Sequence, residues 1–412
     1  MNNIDLKKII IILLIPLLII GYFIFYFFFD KGGSNSLDKL STFFPFESEE
    51  GFALGGDNNL SVSGEPIVNE STSLTIPLLR QITTTPVAGA VIFTEKSTNN
   101  EDSTNYLIRY IEKATGHIYE TSTASLTQTR ISNTTIPQIQ ETLWLKNDSL
   151  AIRYLDDGNT IKTFLANLTP DETSGQKLEG TFLQDNIIEL IEFNKGIFYL
   201  IENGQGSIGI TVDNKNENKK IIFESPLQEW LIKNVDDRYI SFTTKPAITV
   251  TGFSFLLDTK TGNFDKIIEE KNNLSVLISN LFNILYSEYG KLGPQLFVYN
   301  KEKKTNTEIS LQTFPEKCVW NTDNTAIFCG VPEEKLSNSD LTNWYKGKIS
   351  FSDNLWKIDT LTGNSEFLLS PVEFETGKID IINPILNEDN NYLLFTNKKD
   401  FGLWVLQLKK NL

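Results

Sequence analysis

The sequence predicts an all-β fold: a seven-bladed β-propeller with one N-terminal transmembrane helix. Three observations predict it. An uncharged apolar run fills 9–29, short apolar strands recur seven times about every fifty residues, and no other stretch has helical periodicity. The 412 residues carry 37 Lys+Arg against 52 Asp+Glu, a net charge of −15, with 40% hydrophobic residues. That balance suits a chain with a sizeable core and excludes a nucleic-acid partner, whose phosphates such a surface repels. A single histidine, His117, leaves almost no material for zinc sites or Ser/His/Asp catalysis.

Residues 1–8 read as a cytosolic stub and 9–29 as the transmembrane helix. At ~1.5 Å per residue the run is about 31 Å long, matching a hydrocarbon core of ~30 Å. Lys7 and Lys8 precede it while only Lys31 follows closely, so the N-terminus is expected in the cytosol and the rest outside, in a bacterial periplasm or at the cell surface. The run is longer than a signal peptide's apolar stretch, and no Ala-x-Ala site follows it. Residues 30–73, rich in Gly, Ser, Asn and acid, read as a flexible acidic linker, with Phe43, Phe44 and Phe46 as a packing or docking cluster.

Residues 74–412 hold the repeats. Aligned on Ile92, Ile152, Phe198, Ile240, Ile284, Ile327 and Leu394, the strands step by 60, 46, 42, 44, 43 and 67 residues. The long steps contain the insertions 99–105 and 333–350. A second strand follows each of these, and three of the second strands end in Thr-Gly, at Thr115-Gly116, Thr261-Gly262 and Thr362-Gly363. Glycine there supplies the positive φ of a tight hairpin. Another short strand, with Trp144, Trp230 or Trp320, precedes several of them. Four strands per unit, a period near fifty and seven units describe a propeller. A sandwich explains the strands but not turn chemistry repeated at fixed phase. The last unit has only three strands, so 73–82 is expected to supply the fourth and close the ring, sparing an open edge.

The units containing Asp258-Thr-Lys-Thr-Gly262 and Asp359-Thr-Leu-Thr-Gly363 resemble the propellers of the TolB-like and WD40-like classes of bacterial envelopes. The likeness runs over roughly 74–412. The stretch Lys317-Cys-Val-Trp-Asn-Thr-Asp323 with Phe328-Cys-Gly-Val-Pro332, then Trp344-Tyr-Lys-Gly347 and Ser350-Phe-Ser-Asp-Asn-Leu-Trp356, looks like single-pass propeller proteins of small-genome bacteria. Those have no assigned activity, so the resemblance implies a fold and a place in the envelope but no chemistry. The Gly-His and Trp-Asp pairs of WD40 repeats are absent.

Cys318 and Cys329 flank a hairpin whose tip is Asp323-Asn324, a register in which the two sulfurs face each other. Outside the cytosol they form a disulfide, unless the cross-strand geometry keeps them as two packed thiols. Gly204-Gln-Gly206-Ser-Ile-Gly209 spells a dinucleotide fingerprint but runs into an alternating strand, so it reads as a hairpin. In Asp213–Asn218, Lys215 and Asn218 occupy positions a calcium loop needs for a ligand and a glycine, which leaves a solvated turn. The acidic loop Asn99–Asp102 specifies no ion, and His117 reads as a surface residue.

No nucleophile–base set can be assembled, so no catalytic residue, cofactor or metal is expected. The insertion 332–350 places Asp340, Trp344 and Tyr345 between two strands of one unit, on the face shared by the loops 97–105 and 244–251. Its aromatics either anchor a partner or cover the blade's own core. The expected function is an envelope-anchored binding or scaffold module that engages a protein or glycan, its acidic surface favouring a basic partner. The alternative is an envelope glycan hydrolase with paired carboxylates in the propeller channel.

Overall fold

The computed structural model describes residues 76–95, 105–146, 148–171, 175–374 and 377–408. The stub 1–8, the run 9–29, the linker 30–73 and the loop Asn99–Asp102 lie outside the described residues. No helix among the described residues is long and apolar enough to cross a membrane.

The described residues form seven four-stranded antiparallel sheets. Blade 1 holds β2 (Val87–Glu95), β3 (Asn105–Glu112), β4 (Ile118–Ser122) and β5 (Thr129–Arg130). Blade 2 holds β6 (Ile139–Lys146), β7 (Ser149–Leu155), β8 (Ile161–Asp171) and β9 (Gly175–Phe182). Blade 3 holds β10 (Ile187–Phe193), β11 (Gly196–Glu202), β12 (Ser207–Asp213) and β13 (Lys220–Ser225). Blade 4 holds β14 (Trp230–Asn234), β15 (Tyr239–Thr244), β16 (Thr251–Asp258) and β17 (Phe264–Asn272). Blade 5 holds β18 (Ser275–Ile278), β19 (Ile284–Glu288), β20 (Gln295–Asn300) and β21 (Thr305–Ile309). Blade 6 holds β22 (Cys318–Trp320), β23 (Ala326–Pro332), β24 (Asp353–Asp359) and β25 (Ser365–Leu369). Blade 7 joins β26 (Ile381–Leu386), β27 (Tyr392–Asn397) and β28 (Leu403–Gln407) to β1 (Leu79–Thr83), which pairs with β28.

The first strand of each blade lies innermost, and neighbouring blades meet along these strands. Gly89 allows one such meeting: a Cβ there would stand 2.2 Å from the Thr142 carbonyl oxygen, so only glycine lets β2 lie this close to β6. Second strands such as β11, β23 and β27 are buried on both faces because a blade covers each side, hence their unbroken apolar runs. Seven apolar cores follow, one per junction between blades; Phe198, Phe242 and Trp230 fill the one between blades 3 and 4. An eighth core seats the blade 6 insertion against Phe314, which precedes β22, and Ile382 of β26.

The expected strand phase is wrong in blade 1. Residues 89–95 lie in the innermost strand β2, not a second strand, and the second strand is β3. Ile108 therefore replaces Ile92 in the alignment, and the step of 60 shortens to 44. The Thr-Gly turn misled the reading for a physical reason. At Gly116, Gly262 and Gly363 the glycine N–H returns to the carbonyl of an acid four residues earlier, with φ of 75°, 79° and 74°. That turn joins any two adjacent strands: second to third in blade 1, but third to fourth in blades 4 and 6. The ends that bound the connection 97–105, Glu95 of the inner strand and Asn105 of the second strand, consequently lie on the opposite rim from 244–251 and 332–350, not on the face they were expected to share.

Cys318 and Cys329 are directly opposed in the β22–β23 register and joined by a disulfide, which closes a loop of sequence separation 11. Closing a loop of that size removes about 3 kcal/mol of chain entropy from the unfolded state. Cys318→Ser/Cys329→Ser is expected to lower the Tm by roughly 5–10 °C. A fall under 2 °C would mean the hairpin is held by its hydrogen bonds and the surrounding core instead.

Candidate functional site

Connections from second to third strands, and from each outer strand to the next blade, emerge on one rim. The largest of them is the insertion between β23 and β24, which carries a short helix α1 (Asp340–Tyr345) too brief to leave a periodic trace in the sequence. Trp344 turns inward, the second of the two expected roles for the insertion's aromatics. It is 4% exposed and packs with Leu336, Leu341 and Phe351 of the insertion and with Phe314 before β22. Asp340 is also used internally: its carboxylate accepts hydrogen bonds from the Ser337 N–H at 2.8 Å and the Ser337 hydroxyl at 2.6 Å. Tyr345 is the expected aromatic that reaches solvent, at 41% exposure.

A buried charge cluster latches this insertion to blades 6 and 7. Lys317 Nζ donates to Asp353 Oδ2 at 2.6 Å and to Asp380 Oδ1, all three side chains being fully buried. Trp344 Nε1 donates to Asp380 at 3.0 Å, and the Phe351 N–H to the same carboxylate at 3.1 Å. The ammonium groups of Lys317 and Lys398 stand 5.1 and 4.9 Å from the Trp344 ring, and Lys398 donates to the Trp344 carbonyl at 2.8 Å. Burial pushes the Asp353 carboxyl up to about 6, against the opposing pull of Lys317. Sequence reading missed this cluster because its members lie 36 and 63 residues apart. The available signal was a charge set directly beside apolar residues in each of three segments, Lys317-Cys-Val, Phe351-Ser-Asp353 and Ile379-Asp380-Ile-Ile.

Three neighbouring loops on the rim are zipped into one platform. Asn338 Nδ2 donates to the Gly290 carbonyl at 2.7 Å and its Oδ1 accepts the Gly290 N–H. Asn273 Nδ2 donates to the Asn338 carbonyl at 2.9 Å, while the Asn273 N–H reaches the Ala247 carbonyl at 3.1 Å. The platform spans 245–250 of blade 4, 289–294 of blade 5 and the blade 6 insertion. It raises Leu292 (75% exposed), Val250 (62%), Tyr289 (50%) and Tyr345 to solvent. Large apolar side chains at this exposure, grouped on rigid loops, are a feature of interaction surfaces.

The same rim carries the mouth of the axial channel. Glu316 accepts hydrogen bonds from the Tyr345 hydroxyl and from Ser275 Oγ at 2.6 Å. Glu141 pairs with Arg153 at 2.6 Å. Burial, with Glu141 adding repulsion, pushes the Glu189 carboxyl up to about 6. Along the axis lie a cavity of ≈ 550 Å³ between the inner strands of blades 7, 1 and 2, and one of ≈ 350 Å³ between those of blades 4 to 7. Asn383, at φ 50° in a bulge of β26, lines both.

Other candidate motifs resolve as local structure. Gly204–Gly209 spans the β11–β12 hairpin, with strand where a cofactor fold needs a helix. Asp213 Oδ1 accepts the Lys215 and Glu217 N–H groups at 3.0 and 2.8 Å, closing a turn on itself. The His117 N–H bonds the Thr115 hydroxyl at 3.1 Å beside β4. Among the described residues no cluster of three or more His, Cys, Asp or Glu side chains is disposed to hold a metal ion.

No protein-family model and no curated protein matches the sequence. Similar solved structures include TolB from Acinetobacter baumannii, 10% identical, covering 78% of this chain and 80% of that one with a TM-score of 0.41. The β-propeller domain of the Trilobed protease from Pyrococcus furiosus is 13% identical, covering 77% of this chain and 98% of that one with a TM-score of 0.47. An oligogalacturonate lyase in complex with manganese is 11% identical over 74% of each chain, with a TM-score of 0.35. These likenesses concern fold, and the seven four-stranded sheets put the chain in the propeller class.

Proposed function

We propose that this chain is an envelope-anchored binding module: a propeller held outside the membrane by residues 9–29, which engages a protein through its rim at blades 4 to 6. The observation that carries the reading is the platform of Val250, Tyr289, Leu292 and Tyr345 on loops locked by Asn273 and Asn338. Rigid loops bearing exposed aromatic and aliphatic side chains bind without a large ordering cost. A glycan hydrolase is the second reading, favoured by Glu189, whose raised carboxyl at the channel mouth suits a general acid.

Photo-crosslinking discriminates between them. Full chain with p-benzoylphenylalanine at position 292 is added to membranes of the source cells, beside a control with the probe at position 361 on the opposite rim. One discrete adduct is expected from 292 and none from 361. Equal adducts from both positions would reject the rim, and none from either would move the weight to the hydrolase.

A further inference from the structure

We propose that the axial channel is a binding site for a small uncharged glycoside, a molecule with an apolar body and a hydroxyl-rich head. The site is separate from the platform and is built from the two channel cavities, which differ in chemistry and share Asn383. The cavity of ≈ 550 Å³ is mainly apolar. Ala90, Val91, Leu143, Ile382 and Ile385 line it, and each is only half-buried, so part of its apolar surface is left without a protein cover. The cavity of ≈ 350 Å³ is mainly polar, with Asn234, Asn280, Asn321 and Asn324 in its wall beside Trp320. Asn324 Nδ2 donates to Asn280 Oδ1 at 2.6 Å, which fixes that wall. Asn234 and Asn383 are exposed, and the side chain of neither has a hydrogen-bond partner among the described residues.

Charge and hydrogen bonding define the ligand class. Each cavity is lined by one cation and one carboxylate, Lys113 with Glu141 and Lys233 with Glu316, so neither end selects an ion. Amides donate and accept at once, as sugar hydroxyl groups do, so the free amides of Asn234 and Asn383 match a hydroxyl-rich head. The half-buried aliphatic wall of the first cavity matches an apolar body. Both volumes fall within the ~300–1,000 Å³ of small-molecule sites.

The two cavities are staggered along the axis. Lys113 and Phe401 of the first lie in second-to-third connections, on the rim that carries the platform. Ser279, Asn280 and Asn321 of the second lie in first-to-second connections, on the other rim. A bound glycoside therefore lies along the axis, its body toward the platform rim, its head toward the opposite one and Asn383 between them.

The test is fluorescence anisotropy of 2-naphthyl 1-thio-β-D-glucoside with the full chain in phosphatidylcholine nanodiscs, empty nanodiscs serving as the blank. The thioglycoside resists hydrolysis, so the measurement reads binding apart from any hydrolase activity. The probe is expected to bind at least tenfold more tightly than either of its parts, 2-(methylthio)naphthalene or glucose, each measured by displacement. Ala90→Phe fills part of the apolar cavity, and Asn383→Gly removes the shared amide at a φ of 50° that glycine adopts freely. Each is expected to weaken binding at least fivefold with an unchanged circular dichroism spectrum; if Ala90→Phe does not fold, Asn383→Gly decides alone. Leu292→Ala on the platform should leave binding unchanged. No binding above the blank, a part that binds as tightly as the whole probe, or native affinity in the folded variants overturns the proposal. Loss of binding in Leu292→Ala also overturns it, since the ligand would then sit on the platform. Failure here leaves the 292 crosslink, and with it the binding reading of the platform, untouched.

Discussion

Leu79→Ala/Ile82→Ala is expected to lose about 4–10 kcal/mol, which spans most of the stability of an ordinary domain. Both residues sit on β1, which completes blade 7 beside β28. Leu79 is buried in the core between blades 6 and 7, and Ile82 in the core between blades 7 and 1. One short strand thus fills two different junctions. Arg80 Nη2 reaches the Ser122 carbonyl at 3.0 Å and Gln128 Nε2 reaches the Ile82 carbonyl, so the strand is also fastened across to blade 1. Because the two side chains share no core, their single costs of about 2–5 kcal/mol each should add within about 0.5 kcal/mol. Urea unfolding of both single variants and the double measures this. If the single variants each lost under 1 kcal/mol, β1 would be a bystander and the ring would hold without it.

That architecture was largely readable in the sequence. Strand recurrence and the tryptophans at 144, 230 and 320, all in inner strands, mark the blades. What sequence could not separate was position within a blade, since Glu112-Lys-Ala-Thr-Gly116 and Asp359-Thr-Leu-Thr-Gly363 close the same turn between different strand pairs. Residues 340–345 were readable as an insertion but not as to which side chains turn inward. A Trp-Tyr pair on a helix faces two directions, and Trp344 goes in because an indole N–H acceptor, Asp380, waits beneath it. That acceptor, its partner Lys317 and the asparagines of the platform come from three or more blades, so only the closed ring brings them together.

Lys317→Ala is expected to be the most damaging single change, costing about 3–5 kcal/mol at pH 7.5. It leaves Asp353 and Asp380 buried without their cation, whereas the native ammonium serves both. The backbone donors of Ile381 and Phe351 remain, at 2.7 and 3.1 Å, with the Trp344 indole N–H at 3.0 Å, but neutral donors do not balance two charges in a dry site. The pH dependence separates this from a packing defect. In the native protein Asp353 titrates near 6, above the ~3.9 of an unfolded aspartate, so the folded state binds the extra proton between those values. Its contribution to stability is greatest below pH ~4 and falls as pH rises through ~6, by about 3 kcal/mol in all. Asp353→Asn should flatten that part of the curve. Lys317→Ala should steepen it, since protonating the orphaned pair relieves the penalty, and its deficit against the native chain should shrink at pH 4.5. A deficit equal at both pH values would assign the loss to the missing lysine stem. The same variant carries a readout at the rim: with Asp380 no longer fixed, Trp344 loosens, its fluorescence shifts red, and Tyr345 and Lys346 leave the platform they help to build.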